Sequence, residues 1–209
     1  MSIPVEVPGL DTIIPQIDSG KVVIVESGAD SAKSFFVRRL ALTAARLGQP
    51  VTFVTSRDGE EIRAQLAREA GPDLSPDGWL AVQERDAVQR LDEFGEAGGY
   101  LAVDSFSFLS LERSGTELAS MLRGLRSVCR RRGTLVVLAT DRGMLPLQSE
   151  AVVHHLADGL LQFHAKEATD GIVRFLRIPK WSDGTFVDRN VYYEFDGRRL
   201  AIDLRSRVL

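Results

Sequence analysis

The chain has 209 residues, of which 44% are hydrophobic and 26% are charged, and its formal net charge is −3. This length predicts one domain over residues 1–209, with enough chain to bury a substantial core. The near-neutral charge argues against a global basic surface for nucleic acid or membranes. A single cysteine, Cys129, excludes an internal disulfide framework, and its place in a helical pattern predicts a buried, inert thiol.

Membrane and export signals do not stand out in the sequence. No apolar run approaches the length that a membrane-spanning helix needs, and the opening residues do not form a secretory leader pattern. We therefore expect a cytoplasmic globular protein that does not insert into a membrane.

Short apolar runs alternate with helical patterns along most of the chain. Continuous apolar runs are typical of strands that are covered on both faces. Such runs predict inner strands at residues 22–25, 51–54, 101–103 and 135–138. A further short strand is predicted at WLAVQE, residues 79–84. Helical spacing predicts helices at residues 31–47, 58–71, around 85–95, and 115–133.

The pattern changes after residue 156, where two hairpins are predicted. Their turns fall at Thr169-Asp170-Gly171 and at Asp196-Gly197. Alternating strands and helices predict an α/β fold with a mostly parallel, three-layer arrangement. The late hairpins would add antiparallel strands to one edge of that sheet.

The stretch VVIVESGADSAKSFF has the layout of a phosphate-binding loop, a buried strand followed by a small-residue turn and a helix. In the pattern G-x-x-x-x-G-K-[ST], Lys33 would reach the β- and γ-phosphates and Ser34 would hold Mg²⁺. The first glycine position holds Ser27, the second holds Ala32, and Gly28 is displaced by one residue. We expect residues 27–34 to follow a phosphate-loop path, because strand and helix fix both ends.

A phosphate loop needs backbone N–H groups that converge on phosphate oxygens, and glycine permits that close approach. The start of the following helix adds partial positive charge. Ala32 places a methyl group where a phosphate should come close. The candidate nucleotide-binding residues are therefore Gly28, Ser31, Ala32, Lys33 and Ser34. From these residues alone, three interpretations stay open: a functional nucleotide site, a degenerate nucleotide site, or a chance match to the pattern.

Three stretches together resemble the KaiC-like branch of the RecA-type ATPases. The opening VEVPGLDTIIPQIDSGKVVIVESGADSAKS resembles that branch's Pro-Gly-Leu-Asp lead-in, glycine turn, strand and phosphate loop. The strand YLAVDSFSFL is similar to its Walker B segment, and ends in Asp104. The segment VVHHLADGLLQFHAKEATDGIVRFLRIPKW resembles its late hairpin, with a basic residue, Lys180, after the last long strand. The C-terminus also resembles the RecA-like ATPase of the archaellum motor.

The resemblance implies a RecA-like three-layer sandwich that binds ATP or ADP with Mg²⁺. It implies that Ser34 and Asp104 hold the Mg²⁺, Asp104 through water, if nucleotide binds at all. It also implies a homo-oligomer in which Lys180 reaches the nucleotide of a neighbouring subunit. A protein partner or a homo-oligomer is therefore expected, and nucleic acid is not.

The chain departs from the family at the residues that activate water. Active relatives carry adjacent glutamates after the second core strand, where this chain has Ser56 and Arg57. Asp58 comes next, and Glu60 and Glu61 fall in the first turn of a helix, which favours acidic residues through its dipole. Two loop glycines and the catalytic acids are thus absent together. This combination predicts a family member that no longer hydrolyses ATP, and no catalytic residue is assigned.

Several candidate residues keep two interpretations. Asp104 would bind Mg²⁺ through water or cap the loop at the end of its strand. Asp141 falls where a sensor residue can sit, but a turn aspartate is the favoured interpretation. Lys180 would reach a neighbouring nucleotide or simply carry surface charge. His154 and His155 lack a third ligand at metal spacing, so metal binding is not expected there.

The leading hypothesis is a degenerate KaiC-like ATPase homologue that binds nucleotide weakly or not at all. It would hydrolyse little and act through protein contacts as a regulatory or assembly subunit. The first alternative is a working oligomeric ATPase with a relaxed phosphate loop, completed by neighbouring subunits. The second is a DNA-associated recombinase relative, against which the near-neutral charge and the lack of a basic groove both count.

Overall fold

A computed structural model describes residues 2–28, 32–72, 74–83, 90–169, 171–181 and 187–203. The strands are β1 Ser2–Pro4, β2 Gln16–Asp18, β3 Val22–Ser27, β4 Val51–Thr55, β5 Leu80–Gln83, β6 Tyr100–Asp104, β7 Leu135–Asp141, β8 Gly159–Ala168, β9 Gly171–Lys180, β10 Val187–Phe195 and β11 Leu200–Ile202. The helices are α1 Ala32–Arg46, α2 Gly59–Ala70, α3 Leu91–Glu96, α4 Phe106–Leu109, α5 Gly115–Arg132 and α6 Leu147–Leu156, with a short 3-10 turn at Pro76–Gly78.

The main sheet has the strand order β11-β10-β9-β8-β3-β7-β6-β4-β5. Strands β3, β7, β6 and β4 are its inner parallel strands, as the four apolar runs predict. Strand β8 also runs parallel to β3, and from there β9, β10 and β11 continue antiparallel to one edge. The predicted α/β fold with a mostly parallel sheet and antiparallel C-terminal hairpins is therefore confirmed.

The two faces of the sheet contribute to separate cores. Along β3, Val23 and Val25 pack into a core with α1, whereas Val22 and Ile24 pack into a second core with α5. Because side chains alternate along a strand, the next residues follow the same division. Ser27 therefore falls on the α1 face, and Glu26 falls on the face covered by α5 and α6.

The first 18 residues contain a small antiparallel sheet, in which Ile3 pairs with Ile17. Their side chains are buried in the core on the α1 face, together with Val5 and Leu10. Strands of three residues are too short to show an alternating pattern. The sequence alone therefore predicts no strands in this segment.

Helix positions agree with the predicted ones at most ends. Helix α1 covers residues 32–46 of the predicted 31–47, and α5 covers 115–132 of the predicted 115–133. The helix predicted around 85–95 is described only from Leu91, because residues 84–89 lie outside the described ranges. None of the described helices combines the length and apolar character that a membrane crossing requires.

Cys129 lies in α5 and is fully buried, as predicted. Burial raises the pKa of its thiol to about 12, with a smaller contribution from the nearby carboxylate of Asp158. The thiol is therefore protonated and inert at neutral pH.

Candidate functional site

The candidate site lies at the carboxyl ends of the central parallel strands, where open α/β sheets bind their ligands. Ser27, at the end of β3, is paired in register with Asp141 at the end of β7. Asp104 ends β6 and is paired with Thr55 at the end of β4. Helix α1 begins at Ala32, so Lys33 and Ser34 lie in its first turn above these strand ends.

The loop between β3 and α1 is described at its two ends. Ser27 is buried, and its hydroxyl donates a hydrogen bond to the carbonyl of Gly28 at 3.0 Å. Ala32 is fully buried at the start of the helix. Ser31 and its neighbours at 29 and 30 lie outside the described residues, so the phosphate-loop path of residues 27–34 stays a prediction.

The side chain of Lys33 is 5% exposed, and its Nζ lies 2.5 Å from Oδ1 of Asp141. The hydroxyl of Ser105 donates to the other carboxylate oxygen of Asp141. The backbone N–H of Asp141 donates to Oγ of Ser107 at 2.9 Å. Asp141 is therefore the last residue of β7 and not the turn aspartate that the sequence favours, and its carboxylate contacts the lysine that would reach phosphate.

Asp104 is buried next to the first turn of α1. Burial raises the pKa of Asp104, and the positive charge of Lys33 and a hydrogen bond from Ser34 offset only part of that effect. The structure thus brings together Lys33, Ser34 and Asp104, the residues predicted to contact phosphate and Mg²⁺. The peptide bond between Asp104 and Ser105 is cis.

One hydroxyl and one carboxylate suit Mg²⁺ only in part. Mg²⁺ requires six oxygen ligands, keeps several waters, and is usually bound through one or two carboxylates plus substrate phosphates. Ser34 and Asp104 therefore fit a metal–nucleotide complex, but do not form a metal site of their own. Within the described ranges, no cluster of three or more histidine, cysteine or acidic side chains could hold a metal ion.

The positions where active relatives carry glutamates have other contacts here. The backbone N–H of Ser56 donates to the carbonyl of Asp104 at 3.1 Å, and its hydroxyl accepts a hydrogen bond of 3.5 Å from the Ser105 N–H. The guanidinium of Arg57 is paired with Glu61. Asp58 caps α2 by accepting the Glu61 N–H at 3.0 Å.

The sequence analysis missed a buried polar cluster around Glu26. This carboxylate is 1% exposed and contacts Nε of Arg142 at 2.8 Å, Nε2 of Gln162 at 3.0 Å and Nε2 of His154 at 2.6 Å. Burial alone would raise the pKa of Glu26, but the hydrogen bonds with His154 and Arg142 outweigh it, and the pKa is lowered. The available signal was an acidic residue inside an otherwise apolar strand.

Lys180 lies against the C-terminal end of α6. Its Nζ donates to the carbonyl of His155 at 2.8 Å and to that of His154 at 3.4 Å. Burial and the positive charge of Arg126 lower the pKa of Lys180. In this chain the lysine caps a helix end, and contact with a neighbour's nucleotide stays a prediction.

A cavity of about 790 Å³ opens beside Gly28, between the β8–β9 hairpin and the turn after β10. Its size is within the range of small-molecule sites. Burial lowers the pKa of His164 in its wall to about 4, helped by the positive charges of Arg142 and Arg177. Residues from several elements line it, among them Arg142, Phe163, His164, Lys166, Arg174, Phe195 and Asp196.

We expect Asp104→Asn to raise the free energy of unfolding at neutral pH. The raised pKa of Asp104 means that the folded chain binds this proton more tightly than the unfolded chain. The stabilisation that this proton contributes is complete below the pKa of Asp104 in the unfolded chain, and it is lost as pH rises through the pKa of Asp104 in the folded chain. At neutral pH an uncharged asparagine therefore replaces a buried carboxylate whose charge is disfavoured by burial. Urea unfolding from acidic to neutral pH measures the effect, with the exposed Asp92→Asn as control. A variant less stable than wild type at neutral pH would contradict this expectation.

The sheet order and the lysine–serine pair above its strand ends define a RecA-like α/β fold. The KaiC-like protein PH0186 from the hyperthermophilic archaeon Pyrococcus horikoshii OT3 superimposes with a TM-score of 0.78 at 17% identity, covering 97% of this chain and 99% of that one. The flagellar accessory protein FlaH from Methanocaldococcus jannaschii superimposes with a TM-score of 0.78 at 16% identity, covering 97% and 98%. Such identities establish the fold alone.

The chain belongs to DUF7125, which is described as a family of unknown function and whose model matches residues 16–208. Among curated proteins, none matches the chain in sequence.

Proposed function

We propose that this protein is a single-domain, degenerate relative of the KaiC-like ATPases. It binds Mg–nucleotide weakly or not at all, hydrolyses little, and acts through protein contacts as a regulatory or assembly subunit in the cytoplasm. The observation that carries the proposal is the pair Ser56 and Arg57 after β4, where active relatives have glutamates.

Hydrolysis of a γ-phosphate needs a group that orients the attacking water, and a merely acidic surface does not supply it. Among the described residues near β4, Asp58 caps α2 and Glu61 is paired with Arg57. Glu60 is exposed, with Arg63 at 4.0 Å. None of these carboxylates is directed by its contacts toward Asp104 and Ser34.

The loop itself supports weak binding. Ser27 and Ala32 stand at the two glycine positions, and both are fully buried. A methyl group at the first residue of α1 opposes the close approach of a phosphate to the helix N-terminus.

A role in protein contacts is supported by apolar side chains after the strands that form the site. Phe108 and Leu111 follow β6 at 40% and 43% exposure, and Met144 and Leu147 follow β7 at 39% and 82%. All four follow the carboxyl ends of parallel strands, and a contiguous apolar patch at that edge would be typical of an interaction surface. The FlaH name, an accessory protein, fits a supporting role of this kind.

The rival function, a working ATPase, also has an observation in its favour. Lys33, Ser34 and Asp104 remain adjacent, as an active phosphate site requires. Gly28 of the same loop lines the cavity described above, but Lys33, Ser34 and Asp104 are not among its lining residues. A DNA-associated role has less support, because the arginines of CRRRG are paired with acids. Arg131 and Arg132 contact Glu96, and Arg130 lies 3.7 Å from Asp158.

The proposal is tested by calorimetric titration of the pure chain with Mg–ATP, together with phosphate-release assays. We expect no saturable heat at micromolar nucleotide and turnover near background. Lys33→Ala should then change little, as should the control Lys21→Ala at the opposite end of β3. Robust turnover that Lys33→Ala abolishes and Lys21→Ala preserves would overturn the proposal in favour of the working ATPase.

A further inference from the structure

The last residue of β7 and the turn that follows it are anchored at successive backbone N–H groups. Asp141 donates to Oγ of Ser107 at 2.9 Å, and Arg142 donates to the carbonyl of Ser27 at 2.9 Å. Gly143 donates to a carboxylate oxygen in the first turn of α6 at 2.6 Å. The backbone around Asp141 is thus tied to the segment after β6, to the end of β3 and to α6.

The side chain of Arg142 adds a fourth anchor. Its Nε contacts the buried carboxylate of Glu26 at 2.8 Å, and Glu26 is held in turn by Gln162 and His154. A buried carboxylate that loses its cationic partner is strongly disfavoured. Arg142 is therefore fixed in place, and the adjacent Asp141 is fixed with it.

The carboxylate of Asp141 already contacts the ammonium group of Lys33. Its Oδ1 lies 2.5 Å from the ammonium group, and the hydroxyl of Ser105 holds the other oxygen. A charge-assisted contact of this kind is short and strong. A phosphate oxygen can contact Lys33 only after displacing this carboxylate or sharing the ammonium with it.

We propose that Asp141 is an internal competitor for phosphate at Lys33, and that the ion pair between Arg142 and Glu26 positions it there. This inference rests on the proposed function, because it gives a cause for weak phosphate binding. It assigns Asp141 an autoinhibitory contact, and it makes Arg142 and Glu26 positioning residues.

The direct test uses the full chain and Mg–tripolyphosphate, a probe with no base or ribose, measured by calorimetry. Asp141→Asn keeps the shape and removes the charge, so affinity for the probe should rise about 10- to 100-fold. The control is Asp92→Asn, which changes net charge equally at an exposed position of α3 and should leave affinity unchanged. No gain in Asp141→Asn, or an equal gain in Asp92→Asn, overturns the inference.

The positioning role is tested by Arg142→Gln. Loss of a positive charge near the site would by itself weaken binding of an anion, whereas release of Asp141 should strengthen it by several-fold. Arg142→Lys should keep the weak binding of wild type. Added to Asp141→Asn, Arg142→Gln should give no further gain, because both act through one contact. Weaker binding in the single Arg142→Gln variant overturns the positioning role.

Glu26→Gln gives the same test if Arg142→Gln does not fold, as judged by circular dichroism. The gain in affinity for Mg–tripolyphosphate that Glu26→Gln gives should vanish when Asp141→Asn is already present. A gain in affinity that persists in the double variant overturns the positioning role. The two proposals fail separately. If wild type already binds Mg–ATP tightly and turns it over, the proposed function fails. A further gain in Asp141→Asn would still support the internal competitor.

Discussion

Replacing Ser27 and Ala32 together with glycine should raise the affinity for Mg–ATP by about two to four powers of ten. The double change restores both glycine positions and removes the buried methyl group at the start of α1. Two recovered charge-assisted hydrogen bonds, each contributing about 1.5–3 kcal/mol, account for a gain of that size. Calorimetric titration with Mg–ATP measures it.

Turnover should stay near background in this double variant, since the water-activating acids are still absent. It should rise only when Ser56 and Arg57 are also changed to glutamate. Ala41→Gly is the matched control, because Ala41 is a fully buried alanine farther along the same helix. That change should cost about 1 kcal/mol of stability and leave ATP affinity unchanged. Equal ATP affinities in wild type and the double variant would show that the loop glycines do not limit binding.

Gly99→Ala should lower the free energy of unfolding by about 3–5 kcal/mol. Gly99 has φ +75°, and a Cβ atom there would lie 2.2 Å from the carbonyl oxygen of Pro50. That oxygen accepts the Tyr100 N–H at 2.9 Å, and the Gly99 carbonyl accepts the Leu135 N–H at 2.9 Å. The methyl group would therefore separate β4, β6 and β7 where these strands begin. Urea unfolding at equilibrium measures the loss.

Its neighbour supplies the control. Gly98 has φ +80°, and a Cβ atom there would meet nothing within 4 Å. Gly98→Ala should therefore cost only the left-handed backbone strain of about 1–2 kcal/mol. If the two variants were equally stable, close approach to Pro50 would not be the reason for glycine at position 99.

The fold could be predicted well, because each inner strand is covered on both faces and reads as one apolar run. Val22–Ser27 and Leu135–Asp141 are examples. The order of strands in the sheet cannot be predicted from any local sequence pattern, because it depends on which distant segments pair. Strands β3 and β7 are neighbours although more than a hundred residues separate them along the chain.

The same reason limits what could be predicted about the site. Lys33 and Ser34 were recognisable, since the loop pattern is local. The contact between Lys33 and Asp141 joins residues 108 positions apart, and the contact between Glu26 and His154 joins residues 128 apart. Both depend on which strand ends meet. The sequence alone therefore favours a turn residue at Asp141, and it gives no reason to consider His154 other than as a metal ligand.

The burial of Cys129 has a practical consequence. It is the single cysteine of the chain, and its thiol has a pKa of about 12. The thiolate is the form of cysteine that adds to the double bond of a maleimide, so we expect the native chain to react only as fast as α5 separates from the sheet. The rate of alkylation of Cys129 therefore measures how fast α5 opens away from the sheet. A dye-bearing cysteine can also be added at an exposed position without first removing the natural one.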